Sequence, residues 1–402
     1  MAAGVALGGA AVTVGAAAVA TAAPAPRYFV VPTGPCAGTY DGVFISTDLE
    51  PDDAAALKVL APRLAGTPLL VVVGEGDAPR GAKCVLAAEM LASYGLDDKA
   101  TVVQGRGSGA VYPEAALHSY QIDGERPRPH RATIVTEASE EEVAGKVAAF
   151  CDGCEAPFAL LLKPPHEAMH IAAPVLRRVV AAAYGSFNFV ELREGLRRLK
   201  PGLSEEMAFQ QQEALLHAFR TCLWVERSNS VGRDATLSDV TTDPVWPAFA
   251  ADGGLIRLVT AWNQHTVVAI AAKVGQLKRE VDAILQSKDV DARFDAIAAC
   301  VSRHEKRLAI MASIADTHGR QMPLADPLVS ALLLDDDGRL TPYVRRCRAG
   351  HDAKGRPTTQ PDEASSVAAV VASGREEAAA LCRATLEVLA AAGRGDVGCP
   401  SR

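Results

Sequence analysis

The 402-residue chain has no excess of positive charge: 41 Lys and Arg stand against 48 Asp and Glu, for a net charge of −7. Without a basic footprint to neutralise phosphates, nucleic acid is not expected as a partner. The chain also has no cysteine framework. Its nine cysteines, at 36, 84, 151, 154, 222, 300, 347, 382 and 399, are odd in number and scattered, which reads as free thiols in a reducing compartment. Beyond the first 26 residues no uncharged apolar run is long enough to cross a bilayer, so no membrane partner is expected. Neither G-x-G-x-x-G nor G-x-x-x-x-G-K-[ST] occurs, and the glycines at 105, 107 and 109 have the wrong spacing to cradle a nucleotide. The absence of G-x-S-x-G leaves serine hydrolase chemistry without a nucleophile. No repeat of solenoid period is present.

What is there suits a globular protein. Hydrophobic residues make up 49% and charged residues 22%, enough apolar side chain for a sizeable core in one large domain or two. Residues 1–26 carry no charge and end in A-x-A-like tripeptides but lack a basic start. They read as an Ala-rich tail (1–27), with a targeting segment as the alternative to a cytoplasmic location. From Asp41 onward, β-branched runs alternate with amphipathic stretches, the pattern of βα units around a mostly parallel sheet. Strands are expected at 42–47, 68–74, 100–105, 158–163, 178–185, 222–226 and 255–262, and helices at 52–64, 80–95 and 204–219. The stretch 106–137 reads as loop or insertion. Helical periodicity at 265–287 and 292–313 predicts a helical subdomain over about 265–320. Beyond a main domain at 41–336, residues 337–402 read as a polar loop followed by a helix at about 364–392.

The most informative segment is Asp48-Leu49-Glu50-Pro51-Asp52-Asp53, where a strand ends in four carboxylates and enters a helix. Open α/β sheets bind ligands at that edge. Helix-start chemistry accounts for Pro51 and one or two of the acids. Like charges this close repel by about 1 kcal/mol per pair even in water, and a hard cation with oxygen ligands would relieve that. From spacing alone, metal or polar-substrate binding and capping with solvated acids both remain open. A second Asp-Pro step, Ala325-Asp326-Pro327, opens an apolar helix and by itself reads as an ordinary cap.

Together the two segments resemble the inosine/uridine-preferring nucleoside hydrolases, whose first strand–helix turn reads D-x-D-P-G-x-D-D and whose last motif begins H-D-P. Here the first stands as S-T-D-L-E-P-D-D, with Ser46 in place of the first acid and Asp48, Asp52 and Asp53 at the family spacing. The second stands as A-D-P, with Ala325 where one branch has His. A third segment, Lys163-Pro164-Pro165-His166-Glu167, is similar to the family's G-P-L-T-N turn. The resemblance, over roughly 41–336, implies a Rossmann-like α/β fold with a helical insertion and hydrolysis of a ribosyl N-glycosidic bond, as in purine and pyrimidine salvage. It implies a Ca²⁺ held by Asp48, Asp53, Asp326 and a carbonyl near His166, with Asp48 as general base and Asp52 on the ribose. Asn188, Glu226 and Asn229 are the candidates for further ribose contacts, and a homo-oligomer is possible within this family pattern. Ala325 cannot donate a proton to the leaving base, so His318, His265 and Tyr184 are the candidate acids. Ser46 and Ala325 favour the alternative, a catalytically impaired relative that binds a sugar or nucleoside or serves as an interaction domain. A metal-assisted phosphoesterase is less well served, because the acidic turn carries no Lys or Arg within its own run.

Cys151-x2-Cys154-x11-His166-x3-His170 nearly matches a zinc finger. Pro164-Pro165 before the first His and the strand pattern of 158–162 argue against it, and the cysteines read as ordinary loop cysteines rather than a redox pair. His217 reads as a packing or surface histidine of its helix.

Overall fold

The computed structural model describes residues 40–49, 51–74, 82–105, 129–136, 139–162, 179, 181–187, 202, 204–219, 222–226, 274–275, 277–286, 293, 295–302, 325–335, 337–351, 357–372 and 375–393. For some of these, Asp52, Tyr184, Glu226 and Ala325 among them, it describes the backbone alone. The strands are β1 (Gly42–Thr47), β2 (Leu69–Val73), β3 (Ala100–Gln104), β4 (Thr133–Val135), β5 (Pro157–Leu161), β6 (Ala181–Phe187), β7 (Cys222–Glu226), β8 (Val344–His351), β9 (Pro357–Pro361) and β10 (Val367–Val370). The longer helices are α1 (Pro51–Leu64), α2 (Ala82–Ser93), α3 (Glu140–Asp152), α4 (Glu205–Leu216), α5 (Ala325–Leu334) and α6 (Arg375–Gly393).

The strands form one sheet in the order β4-β3-β2-β1-β5-β6-β7-β10-β8-β9. Every pairing from β4 to β10 is parallel. Only β8, between β10 and β9, runs antiparallel to its neighbours. Parallel strands buried on both faces need continuous apolar runs, and Leu69–Val73 is buried at every position. Side chains alternate between two cores. Val43, Ile45, Val71 and Leu160 pack with α1, α2, α5 and α6 on one face. Phe44, Val72, Leu161 and Trp224 pack with α3 and the end of α4 on the other. The result is an α/β/α sandwich.

The strand order reverses at β1. The chain winds outward through β2, β3 and β4, returns to place β5 on the other side of β1, and continues through β6 and β7. Such a reversal opens a crevice beyond the carboxyl ends of the two central strands, here β1 and β5.

Several expectations are corrected. The stretch expected as loop before residue 137 contains β4, whose entry is tied down when Arg131 donates its backbone N–H to Asp97 at 2.7 Å. The segment expected as polar loop holds the β8–β9 hairpin. Cys347 and Ala349 are buried there while Arg348 is exposed, so arginines on the outer face mask the strand pattern. The last helix begins at Arg375 rather than near 364, because the Ala-rich run at 367–370 pairs with β7 as β10. β6 lies at 181–187 instead of 178–185, its frame set by pairing of Phe158–Leu161 with Ala181–Tyr184. Residues 277–285 and 295–302 are helical, whereas the expected strand at 255–262 lies outside the described residues.

Candidate functional site at the switch point

The turn from β1 into α1 sits at the mouth of the crevice. Strand pairing persists to its edge, since Leu162 donates to the Ser46 carbonyl and Gly74 to the Thr47 carbonyl, both at 2.9 Å. Asp53, 1% exposed in the first turn of α1, folds back over the turn. Its Oδ2 accepts the Thr47 hydroxyl, the Asp48 N–H at 3.1 Å and the Leu49 N–H at 2.9 Å. Thr47 Oγ1 accepts a second bond from the Leu49 N–H, also at 2.9 Å. These bonds hold Leu49 at φ 61°, a left-handed conformation that costs a non-glycine residue about 1–3 kcal/mol. The fully buried Leu49 side chain helps to offset that cost.

Lys83, in the first turn of α2, reaches the same turn. Its Nζ donates to the Asp48 carbonyl at 2.8 Å, and the residue is 8% exposed. A buried ammonium costs several kcal/mol unless anionic or dipolar groups compensate. Its place near a helix N-terminus adds about 0.3–1 kcal/mol, because the helix dipole there repels cations. The Asp48 carbonyl supplies part of that compensation.

Ser46 lies on the opposite face of β1, fully buried, and its Oγ has no hydrogen-bond partner among the described residues. A neutral hydroxyl thus stands where the resemblance implies a carboxylate. Asp326, 2% exposed in the first turn of α5, is on the same face of the sheet as α1. The two helices are pinned when the Ser330 hydroxyl donates to the Ala56 carbonyl at 3.0 Å.

The structure therefore brings Asp48 and Asp53 into one turn and places Asp326 on a helix packed against α1. Asp52 lies in the first turn of α1. Glu226 ends β7, and Tyr184 of β6 pairs in register with Leu161 at the end of β5, so the backbones of both approach the same sheet edge. His166, Asn188, Asn229, His265 and His318 lie outside the described residues. Sequence reading missed Thr47 and Lys83. Lys83 had one available signal: in a parallel sheet, the first turn of every crossover helix returns to the edge where its strand ended.

Calcium requires about six to eight oxygen ligands. Among the described residues no three His, Cys, Asp or Glu side chains are grouped closely enough to hold a metal ion. An oxygen that accepts three hydrogen bonds has no lone pair left for a cation, which removes Asp53 Oδ2 from any such shell. With Ser46 neutral and a lysine ammonium at the turn, the described side chains do not fit the calcium shell that the resemblance implies.

The Cys151/Cys154 pair closes α3 away from this edge, and neither cysteine is in a disulfide. The expected strand between the cysteines and His166 is β5 at the centre of the sheet, with Phe158 fully buried, which no zinc finger accommodates. His217 is exposed, just past α4.

No protein-family model matches the sequence, and no curated protein sequence does. Solved structures do match in fold. The chain is similar to nucleoside hydrolases. The inosine-uridine preferring nucleoside hydrolase from Bacillus anthracis matches over 86% of this chain and 99% of its own, with a TM-score of 0.47 and 11% identity. An inosine-guanosine nucleoside hydrolase matches over 87% and 98%, with a TM-score of 0.44 and 9% identity. The type III effector XopQ, solved with adenosine diphosphate ribose, matches over 90% and 96%, with a TM-score of 0.44 and 14% identity. At these identities, function has to be read from the chain's own motif order and site. No helix among the described residues is long and apolar enough to cross a membrane.

Proposed function

We propose that the crevice between β1 and β5 binds a ribosyl compound, and that the protein is a nucleoside-hydrolase-like domain in which N-glycosidic hydrolysis is weak or absent. One observation carries the reading: the acidic turn Asp48–Asp53 stands at the carboxyl end of β1, where the strand order reverses. Carboxylates at that place can accept hydrogen bonds from vicinal hydroxyls, the feature that separates a ribosyl ligand from an apolar one. Asp48 and Asp52 would receive the sugar, with Glu226 at the end of β7, and Asn188 and Asn229, which follow β6 and β7 in sequence, as further contacts.

Full hydrolysis is the second reading, and buried Asp326 beside α1 favours it. Asp48 would then act as general base toward a water, and one of His318, His265 and Tyr184 would protonate the leaving base. Calcium belongs to this reading only. Neutral Ser46 and the proton-less Ala325 are the reasons it stands second.

Two measurements on one protein sample separate the readings. A thermal-shift series with ribose, inosine, uridine and adenosine should show stabilisation by at least one ribosyl compound, weakened in Asp48→Asn. A reducing-sugar assay on the same compounds should show little or no free ribose. Stabilisation by none of them and release from none would overturn both readings.

A further inference from the structure

The family resemblance implies a divalent cation at the acidic turn, whereas the folded chain brings a lysine to the same turn. Three independent features bear on the charge of that turn. Lys83 is buried and donates to the Asp48 carbonyl at 2.8 Å. Asp53 spends one carboxylate oxygen on the Thr47, Asp48 and Leu49 donors rather than presenting it to an ion. Ser46, at the end of β1 on its other face, puts a neutral hydroxyl at the first motif position.

We propose that Lys83 is the resident cation of this site: its ammonium supplies the positive charge that organises the acidic turn, and it disfavours a divalent ion there. The lysine sits where its charge is costly on every other count, being withdrawn from water and placed in the first turn of a helix whose dipole repels it. The neighbouring carboxylates of the β1–α1 turn are what make that position tenable. A divalent ion entering the same turn would meet the ammonium at short range in a medium of low effective dielectric, and the repulsion scales with the product of the charges. Lys83 is a positioning residue in this scheme, acting on the turn through Asp48. The proposal concerns the turn's charge balance and stands whichever ligand the crevice takes.

The test uses the full chain, stripped with a chelator and titrated with Ca²⁺ alone by calorimetry and thermal shift. Wild type should bind Ca²⁺ at this site no tighter than millimolar. Lys83→Met should bind at least about tenfold tighter, because an opposing charge has been removed. Lys83→Arg, which keeps the charge, should behave as wild type. A purely structural lysine would lower the melting temperature on substitution without raising Ca²⁺ affinity, and that result overturns the proposal. Micromolar, chelator-reversible Ca²⁺ binding by wild type, lost in Asp48→Asn, overturns it as well and needs no Lys83 variant to fold.

Discussion

Asp53 Oδ2 and the Leu49 N–H stand 2.9 Å apart, and this bond with its two companions closes the turn around the one non-glycine residue of positive φ among the described residues. One of the acids that the resemblance implies as a metal ligand thus clasps the turn through this oxygen.

That finding separates two carboxylates that look equivalent in the sequence. Asp53→Ala removes an acceptor from three donors and releases a strained backbone, and hydrogen bonds to a charged group are worth about 1.5–3 kcal/mol each. Because the three share one oxygen, a total loss of about 3–4 kcal/mol is expected in urea denaturation. Asp48 lends the turn its backbone N–H and carbonyl, which alanine retains. Asp48→Ala should cost less than about 1.5 kcal/mol while weakening ribosyl binding. Equal losses for the two variants would show that the clasp is not centred on Asp53.

The parallel core was legible because β1, β2, β3, β5 and β7 are apolar runs whose pattern tertiary context reinforces. The hairpin at 344–361 was not, since its outer face carries arginines and its inner face small residues such as Ala349. β10 reads as helix because alanine favours one, and only the free edge of β7 decides otherwise. At the site, the acidic turn was visible as a local motif. Lys83 contacts it from 35 residues away, a pairing that depends on how α2 returns to the sheet edge.

Asp97 provides a test by pH. Its carboxyl is held below the ordinary carboxylate range, first by the backbone N–H of Arg131 and less by that residue's charge, with burial opposing. The Arg131 side chain is 68% exposed, so its ion pairs to Asp97 and Asp98 contribute little. A depressed folded-state pKa means that this stabilisation is complete above the unfolded value of about 3.9 and is lost as pH falls through the folded value. Asp97→Asn should therefore destabilise the protein near pH 7, by about 1–3 kcal/mol, with the difference from wild type shrinking under strong acid. A pH-independent difference in chemical denaturation would assign the effect to packing instead.

The thiols should be inert in the native state. Burial pushes Cys84 up to about 12 and Cys347 to about 11, and it raises Cys222 as well. At pH 8 a thiol of pKa 12 is thiolate in only about one molecule in ten thousand, and the thiolate is the reactive form. Brief iodoacetamide treatment followed by peptide mass spectrometry should leave Cys84, Cys222 and Cys347 unmodified until denaturant is added. Native labelling of Cys84, next to Lys83 on α2, at the rate of a free thiol would mean that the α2 face opens to solvent.

The leaving group offers the sharpest probe of chemistry. A purine or pyrimidine departs readily only when its developing negative charge is protonated, and a positioned acid contributes about 10²–10⁴-fold. Ala325 opens α5 where the resemblance implies His, and alanine has no proton to give. If Asp48 retains any ability to activate water, the deficit should fall on substrates that need the acid and spare those that do not. Nitrophenyl riboside should therefore be cleaved at least about tenfold faster than inosine or uridine, and Ala325→His should narrow that ratio by raising nucleoside turnover. Rapid and equal cleavage of inosine and nitrophenyl riboside by wild type would mean that an acid is already in place. Separate substitutions of His318, His265 and Tyr184 would then identify it as the one whose loss slows inosine but leaves nitrophenyl riboside unchanged.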